Sequence, residues 1–336
     1  MLGAGFPYPP PTMLLLWPFA LFSLRNGIVL WYLFHVGCLV GCIGLLWRLL
    51  FPGSGWPGLA VVTAMLVGIR STQTTLHLAQ TNFLLLLTLL LYWRTRARFQ
   101  GGLWLAVGMA VKPWVAILLL LPLVRRRFRV LVGAVAGTLG LFVTAALVFG
   151  PSMVETYLRL PAVAQMPTRY FSSVVNQSLL ATILRFSAEK HSVHLDPRQS
   201  PTALLLFVAI AGALTLATLL LAHRLPASRD DLAFCLNVAL ALMVYPGTLY
   251  HYGMMVLAPL LWMWARREDL RLPTAAATAI VTVPFVLIGS SHAKFVFPGI
   301  AFTWLAFAVI AWRAAGATRA PAPPDLDVAL KVRSGA

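Results

Sequence analysis

Residues 201–223 read PTALLLFVAIAGALTLATLLLAH, a run of 23 residues without a formal charge. About 20 apolar residues in an α-helix cross the hydrocarbon core of a bilayer, so this stretch predicts a membrane-spanning helix. Similar runs recur along the 336 residues, of which 60% are hydrophobic and 10% charged, and the mean hydropathy is +0.84. Soluble domains carry about 25% charged residues, so this composition excludes a set of soluble domains.

Apolar segments predict an all-α, polytopic membrane bundle with about nine spans. The predicted spans are residues 27–48, 57–70, 74–93, 129–149, 201–223, 231–246, 250–265, 273–290 and 295–312. We expect one membrane domain over residues 1–312 and a disordered, Ala/Pro-rich cytoplasmic tail over 313–336. The polar stretch 150–200 has no run long enough to span and is expected to be a structured external loop. Within this loop, helical spacing of apolar residues after Asn176 predicts a helix on the membrane surface, with Asn176 as its cap.

The segment 101–124 is apolar but is interrupted at Lys112-Pro113, and proline disrupts a helix interior. Arginines flank it on both sides, and cytoplasmic segments of membrane proteins are enriched in Lys and Arg. Because 24 residues are too few to cross twice, we predict a re-entrant hairpin with Lys112 near its tip. Cytoplasmic segments then hold 17 Lys and Arg residues and external segments hold eight, five of them in the long loop. The formal net charge of +17 therefore indicates orientation in the membrane and not binding to nucleic acid.

Two polar residues in apolar surroundings are candidates for chemistry. A lysine at membrane depth is costly, so Lys112 is expected to meet a buried anion such as a lipid phosphate. The alternative is that Lys112 reaches water at the end of a shallow hairpin. His251 follows the helix-breaking Pro246-Gly247 pair, and irregular backbone at this depth usually lines a protein cavity. An imidazole there can donate to a phosphate or transfer a proton, and the alternative is a histidine packed among tyrosines.

For other polar residues, a structural role remains open beside a functional one. Gln80 and Asn82 either join helices or recognise sugar hydroxyls. The external trio His191, His194 and Asp196 has loose metal-ligand spacing, but we expect it to be solvated, so no metal site and no cofactor are predicted. The three cysteines lie in apolar segments and are expected to be packing residues: Cys38, Cys42 and Cys235.

The order of short motifs along the chain resembles that of a known family. The motifs are Tyr8-Pro9-Pro10, Gln80-Thr81-Asn82, Lys112-Pro113-Trp114, Phe149-Gly150-Pro151, Asn176-Gln177-Ser178-Leu179 and His251-Tyr252. Each is weak alone, but their order over roughly residues 5–270 resembles glycosyltransferase family 87. These are membrane enzymes of the GT-C type, best known as bacterial α-mannosyltransferases that use polyprenol-phosphate-mannose.

The resemblance implies a membrane glycosyltransferase of the bacterial cell envelope. It would move a sugar, expected to be mannose, from a polyprenol-phosphate donor to a glycolipid or polysaccharide acceptor on the outer face of the plasma membrane, with inversion. In this chemistry His251 is the catalytic candidate, and Lys112, Arg169 and Tyr250 are candidates for binding the donor. The candidates for binding the sugar or the acceptor are Gln80, Asn82, Asn176, Gln177 and Tyr8.

The family places a carboxylate base in its first external loop, after an N-terminal span, whereas this sequence has no acidic residue before Glu155. The predicted topology also puts residue 1 outside the cell. We therefore expect the base and one further span to lie upstream, so that this chain is an inactive fragment or begins at a late start codon; the alternative is an external N-terminus. A lipid or solute transporter or flippase is the competing function, because transporters also use broken helices and buried charges.

Overall fold

The computed structural model describes residues 8–159, 171–187, 197, 200–290 and 292–317, and within these ranges the chain is helical without a β-strand. The α-helices are α1 (Pro11–Ala20), α2 (Leu24–Leu50), α3 (Gly55–Gly68), α4 (Arg70–His77), α5 (Asn82–Thr95), α6 (Phe99–Val111), α7 (Leu120–Val124), α8 (Phe128–Phe149), α9 (Pro151–Arg159), α10 (Leu179–Ser187), α11 (Pro201–Arg224), α12 (Asp230–Val244), α13 (Leu257–Ala265), α14 (Thr274–Gly289) and α15 (Val296–Ala317). Two longer 3-10 segments, Pro113–Leu119 and Tyr250–Val256, precede α7 and α13. The predicted all-α fold is confirmed.

Four described segments are long and apolar enough to cross a membrane: Leu24–Leu50, Phe128–Phe149, Pro201–Arg224 and Ala293–Gly316. The helices α3 and α4 add a fifth if they form one span, although they are bent by 61°. The remaining apolar helices are shorter or broken, so a polytopic membrane protein is confirmed and the number nine stays a prediction. The helix α15 continues to residue 317, into the segment expected to be a disordered tail.

The predicted spans 57–70 and 74–93 have the wrong boundaries. The helix α4 occupies residues 70–77, and α5 begins only at Asn82. Between them lies a turn in which Ala79 has φ +49°, a left-handed conformation that costs free energy for a residue with a side chain. The predicted span 74–93 ran across this turn because the Leu-rich run after Asn82 dominates the segment, although Gln80, Thr81 and Asn82 are polar. As a result Gln80 lies at a helix break, and not within a span as predicted.

The hairpin predicted at 101–124 leaves and returns to the same end of the bundle. The helix α6 ends at Lys112, whose backbone is extended, and the 3-10 segment and α7 lead back. Its two flanks touch, because Arg127 Nη1 donates to the Arg96 carbonyl oxygen at 3.4 Å. With 13 residues, α6 raises Lys112 about 20 Å from the arginines. The hairpin therefore carries its lysine deep into the bundle.

Glycines let α6 approach α8 very closely. A Cβ atom at Gly102 would clash with the Val130 carbonyl oxygen, and one at Gly133 would clash with the Phe99 carbonyl oxygen. This seam fixes the hairpin against α8, in keeping with the role of small residues in membrane helix packing.

Ion pairs join the flanks of the hairpin to the start of α12. Arg125 Nε lies 3.0 Å from Asp230 Oδ1, and Arg127 also pairs with Asp230. Arg96 Nη2 lies 2.6 Å from Asp231 Oδ1, which also accepts a hydrogen bond from the Trp93 indole at 2.7 Å. These ion pairs therefore fix the base of the hairpin to the start of α12.

The described part of the segment 150–200 packs onto the bundle. Asn176 and Leu249 form an antiparallel bridge, and the Gln177 amide donates to the Thr248 carbonyl oxygen at 2.6 Å. The apolar side of α10 is buried against Phe171 and Ala203, so it packs on protein, whereas the sequence predicted that it would face the membrane. Its cap is also different: the Ser178 hydroxyl, and not Asn176, accepts from the Ala181 amide.

Candidate active site

Four motifs that are distant in sequence meet at one cluster. The Tyr8 hydroxyl donates to Gln80 Oε1 at 2.8 Å. Lys112 Nζ lies 3.8 Å from the centre of the Tyr8 ring and 5.5 Å from the centre of the Tyr252 ring. The N-terminal segment, the turn before α5, the hairpin tip and the 3-10 segment after α12 are thus brought together. We call the residues Tyr8, Gln80, Lys112, His251 and Tyr252 the central cluster.

Lys112 is a buried cation without a carboxylate partner in the described part of the chain. Its exposed fraction is 7%, and its ammonium group faces aromatic rings, which stabilise a cation but do not neutralise it. The carboxylates in the described ranges pair with arginines instead: Glu155, Asp230, Asp231, Glu268 and Asp269. A lysine at this depth is costly unless an anion neutralises it. The arrangement therefore favours an anionic ligand.

Tyr8 precedes the first helix and is held by a hydrogen bond to Gln80. Burial raises the pKa of its phenol above the usual value, so the hydroxyl remains protonated and donates to Gln80. Thr12, one turn further on, donates to the Ala110 carbonyl oxygen at 2.5 Å and fixes α1 against the end of α6. Tyr8 therefore covers the lysine from the N-terminal side.

His251 is buried with unused hydrogen-bonding capacity. Only 2% of the residue is exposed, and neither ring nitrogen has a hydrogen-bond partner among the described residues. Its ring lies between those of Tyr250 and Tyr252, with centroid distances of 5.5 and 4.9 Å. An unpaired buried polar group costs about 1–3 kcal/mol, so an imidazole in this state is typical of a ligand site. The backbone of Tyr250 holds this segment in place, since its amide donates to Val175 and its carbonyl accepts from Ser71.

Asn82 is fully buried beside the same 3-10 segment. Its Nδ2 donates to Thr75 Oγ1 at 2.9 Å, and that hydroxyl contacts the Met254 sulfur at 3.7 Å. The Asn82 Oδ1 atom has no partner in the described ranges. One open acceptor at this position is suited to a hydroxyl of a ligand.

Asn176 and Gln177 are fully buried, and their side chains form hydrogen bonds with backbone groups. Asn176 Nδ2 donates to the Pro246 carbonyl oxygen at 2.8 Å, and its Oδ1 accepts from Ser178. Gln177 Oε1 accepts from the Phe297 amide at 2.9 Å, and its Nε2 donates to the Val174 carbonyl oxygen. These contacts anchor the loop to the turn that precedes His251.

Two of the sequence-based candidate sites lie outside the described residues: Arg169 and the trio of His191, His194 and Asp196. In the described ranges no group of three metal-ligating side chains is present.

Sequence reasoning missed His35 in α2. Its ring is fully buried, lies 4.3 Å from the Trp31 ring centre, and has both nitrogens unpaired in the described ranges. Trp31 in turn donates to the carbonyl oxygen of the strained Ala79 at 3.1 Å, which supports the turn that carries Gln80. The available signal was a single histidine in an otherwise apolar span.

The fold and the central cluster define a polytopic membrane protein with a buried polar site at helix breaks. The sequence profile of glycosyltransferase family 87 matches residues 6–246, and the chain belongs to this family. The matched range includes Tyr8, Gln80 and Lys112 and ends just before His251. No curated protein and no solved structure shows significant similarity to the chain. Membership in the family makes the protein a membrane glycosyltransferase.

Proposed function

We propose that the protein transfers mannose from a polyprenol-phosphate donor to a glycolipid or polysaccharide acceptor at the outer face of a bacterial plasma membrane, with inversion at the anomeric carbon. The observation that carries the proposal is the buried Lys112, whose charge has no carboxylate partner among the described residues. A lipid phosphate supplies the anion that this cation needs. The family supports sugar transfer.

The transfer forms a bond between the acceptor oxygen and the anomeric carbon as the bond from that carbon to the phosphate oxygen breaks. The phosphate leaves with the electron pair, so negative charge develops on it in the transition state. Lys112 and His251 stabilise this charge, because preorganised donors in a water-excluded site are effective at a developing anion. The hydroxyl proton passes to a base, a role that we assign to no residue of this chain.

Neighbouring residues bind the donor and the sugar. Tyr250 flanks the imidazole. Arg169, which lies outside the described residues, is proposed from the sequence alone as a further cation for the donor. Gln80 and Asn82 are suited to sugar hydroxyls, because the Asn82 Oδ1 atom is unpaired and the Gln80 side chain is half-buried beside Tyr8. Asn176 and Gln177 act on the acceptor side by holding the loop in place.

The test is transfer of radiolabelled mannose from polyprenol-phosphate-mannose by membranes that contain the protein. Lys112→Gln should raise the donor KM about tenfold or more, since a charge-assisted hydrogen bond contributes about 1.5–3 kcal/mol. Lys112→Arg should retain part of the affinity, because it keeps the charge. The matched control is Lys294→Gln, an exposed lysine in a short segment before α15.

Labelled glycolipid or polysaccharide formed by the parent, with the stated loss in Lys112→Gln, supports the proposal. Labelled donor that crosses the membrane without any product would instead indicate a transporter and would overturn it.

A further inference from the structure

Several arginines at the hairpin end of the bundle, Arg94 among them, are exposed and have no partner among the described residues. Arg98, Arg126 and Arg129 have neither an ion-pair nor a hydrogen-bond partner for their guanidinium groups within the described part of the chain. Their neighbours Arg96 and Arg127 differ, because both are ion-paired to the aspartates of α12. Arg98, Arg126 and Arg129, which we call the arginine face, therefore have free charge to offer a partner.

The glycine seam brings the arginine face together. Arg98 directly precedes α6, and Arg129 lies in the first turn of α8. These two helix starts are in contact, because the Phe99 carbonyl oxygen touches Gly133. Arg126 lies in the tight turn just before α8, with φ +51°, and the next residue bonds to the Arg96 carbonyl oxygen.

Exposed apolar side chains border the arginine face. Phe99 is 42% exposed, Phe128 is 64% exposed and Leu123 is 56% exposed. Apolar side chains next to unpaired arginines are typical of the membrane boundary, where the former meet acyl chains and the latter reach the headgroups.

We propose that the arginine face binds the headgroups of anionic phospholipids in the adjoining leaflet. A guanidinium group can donate two parallel hydrogen bonds to a phosphate, and each basic residue near an anionic membrane surface adds to the attraction. An anionic lipid bound here would hold the starts of α6 and α8 at the membrane surface, and so fix the depth of the hairpin tip. The inference concerns lipid binding and does not depend on the proposed sugar transfer.

The experiment titrates the purified full chain in detergent with phosphatidylglycerol or with zwitterionic phosphatidylcholine, and follows thermal unfolding. Phosphatidylglycerol should raise the unfolding temperature of the parent more than phosphatidylcholine does. In the triple variant Arg98→Gln, Arg126→Gln, Arg129→Gln, the phosphatidylglycerol concentration at half effect should rise about tenfold or more. The lipid effect should also weaken at high salt, because salt screens exposed charges.

A second triple variant removes the same amount of charge elsewhere: Arg48→Gln, Arg224→Gln, Arg271→Gln. These arginines are also exposed, and they should leave the half-effect concentration within about twofold of the parent. Equal shifts in the two triple variants would mean that only net charge matters, and would overturn the proposal. An equal response of the parent to phosphatidylcholine would overturn it as well.

Discussion

Lys112 Nζ lies 3.8 Å from the centre of the Tyr8 ring, so the tip of the hairpin is covered by the segment that precedes the first helix. The same tyrosine donates to Gln80, which joins the turn before α5 to the lysine. The cation, its aromatic cover and the amide thus form one unit, although they come from three separate parts of the chain.

Two substitutions of Tyr8 should separate its ring from its hydroxyl. Tyr8→Phe keeps the ring over Lys112 and loses the hydrogen bond to Gln80, so the donor KM should rise about two- to tenfold. Tyr8→Ala also removes the cation–π contact and should have a larger effect. The control is Tyr32→Phe, on the exposed side of α2. Equal activity of Tyr8→Ala and the parent would contradict a role for Tyr8 in the site.

The α6–α8 seam predicts an ordering of glycine substitutions. Gly102→Ala and Gly133→Ala place a methyl group against backbone and should each destabilise the protein by about 1–3 kcal/mol. Gly140→Ala, in the same helix α8 with open space around its Cα, should be neutral or stabilising. Thermal unfolding in detergent measures the three variants. A larger loss of stability in Gly140→Ala than in the other two variants would contradict the close contact between α6 and α8.

The ion pairs at the start of α12 should differ in strength. Asp230 and its arginine partners are mostly buried, so Asp230→Asn should cost about 3 kcal/mol. Asp231 and Arg96 are about 30% exposed, so Asp231→Asn should cost about 1 kcal/mol or less after solvent screening. The exposed pair partner Asp269 provides a control whose removal should be nearly neutral. Chemical denaturation of the three variants checks this order.

Topology can be tested with single introduced cysteines. The three native cysteines are buried, so background labelling should be low. A membrane-impermeant maleimide added outside intact cells should label Val174→Cys in the loop. It should not label Arg126→Cys in the turn before α8. The reverse pattern would place the arginines outside and the loop inside, contrary to the positive-inside assignment.

Much of the fold could be predicted from the sequence, because the bilayer constrains both the length of apolar segments and the positions of arginines. The hairpin at Lys112 could be predicted, since a proline and two arginine-rich flanks allow few other paths. The turn at Ala79 could not, because its strain is supported by Trp31, a contact between distant parts of the chain. The burial of α10 also depends on a long-range bridge, between Asn176 and Leu249.

The candidate site was predictable residue by residue but not as an arrangement. Lys112 and His251 were recognisable because a polar group in an apolar run is unusual. Tertiary contacts, which sequence spacing does not encode, place Tyr8 over the lysine. They also direct the side chains of Asn176 and Gln177 to hydrogen-bond with backbone groups.

Substitution of His251 by alanine tests whether the central cluster stabilises a leaving lipid phosphate. Steady-state transfer of mannose from polyprenol-phosphate-mannose should be measured at saturating donor, with matched amounts of inserted protein. We expect kcat to fall about 10²–10³-fold, the usual cost of removing one donor to a developing anion. His223→Ala, an exposed histidine at the end of α11, should be unaffected. Full activity of His251→Ala in an assay where the parent is active would mean that the imidazole does not stabilise the leaving phosphate.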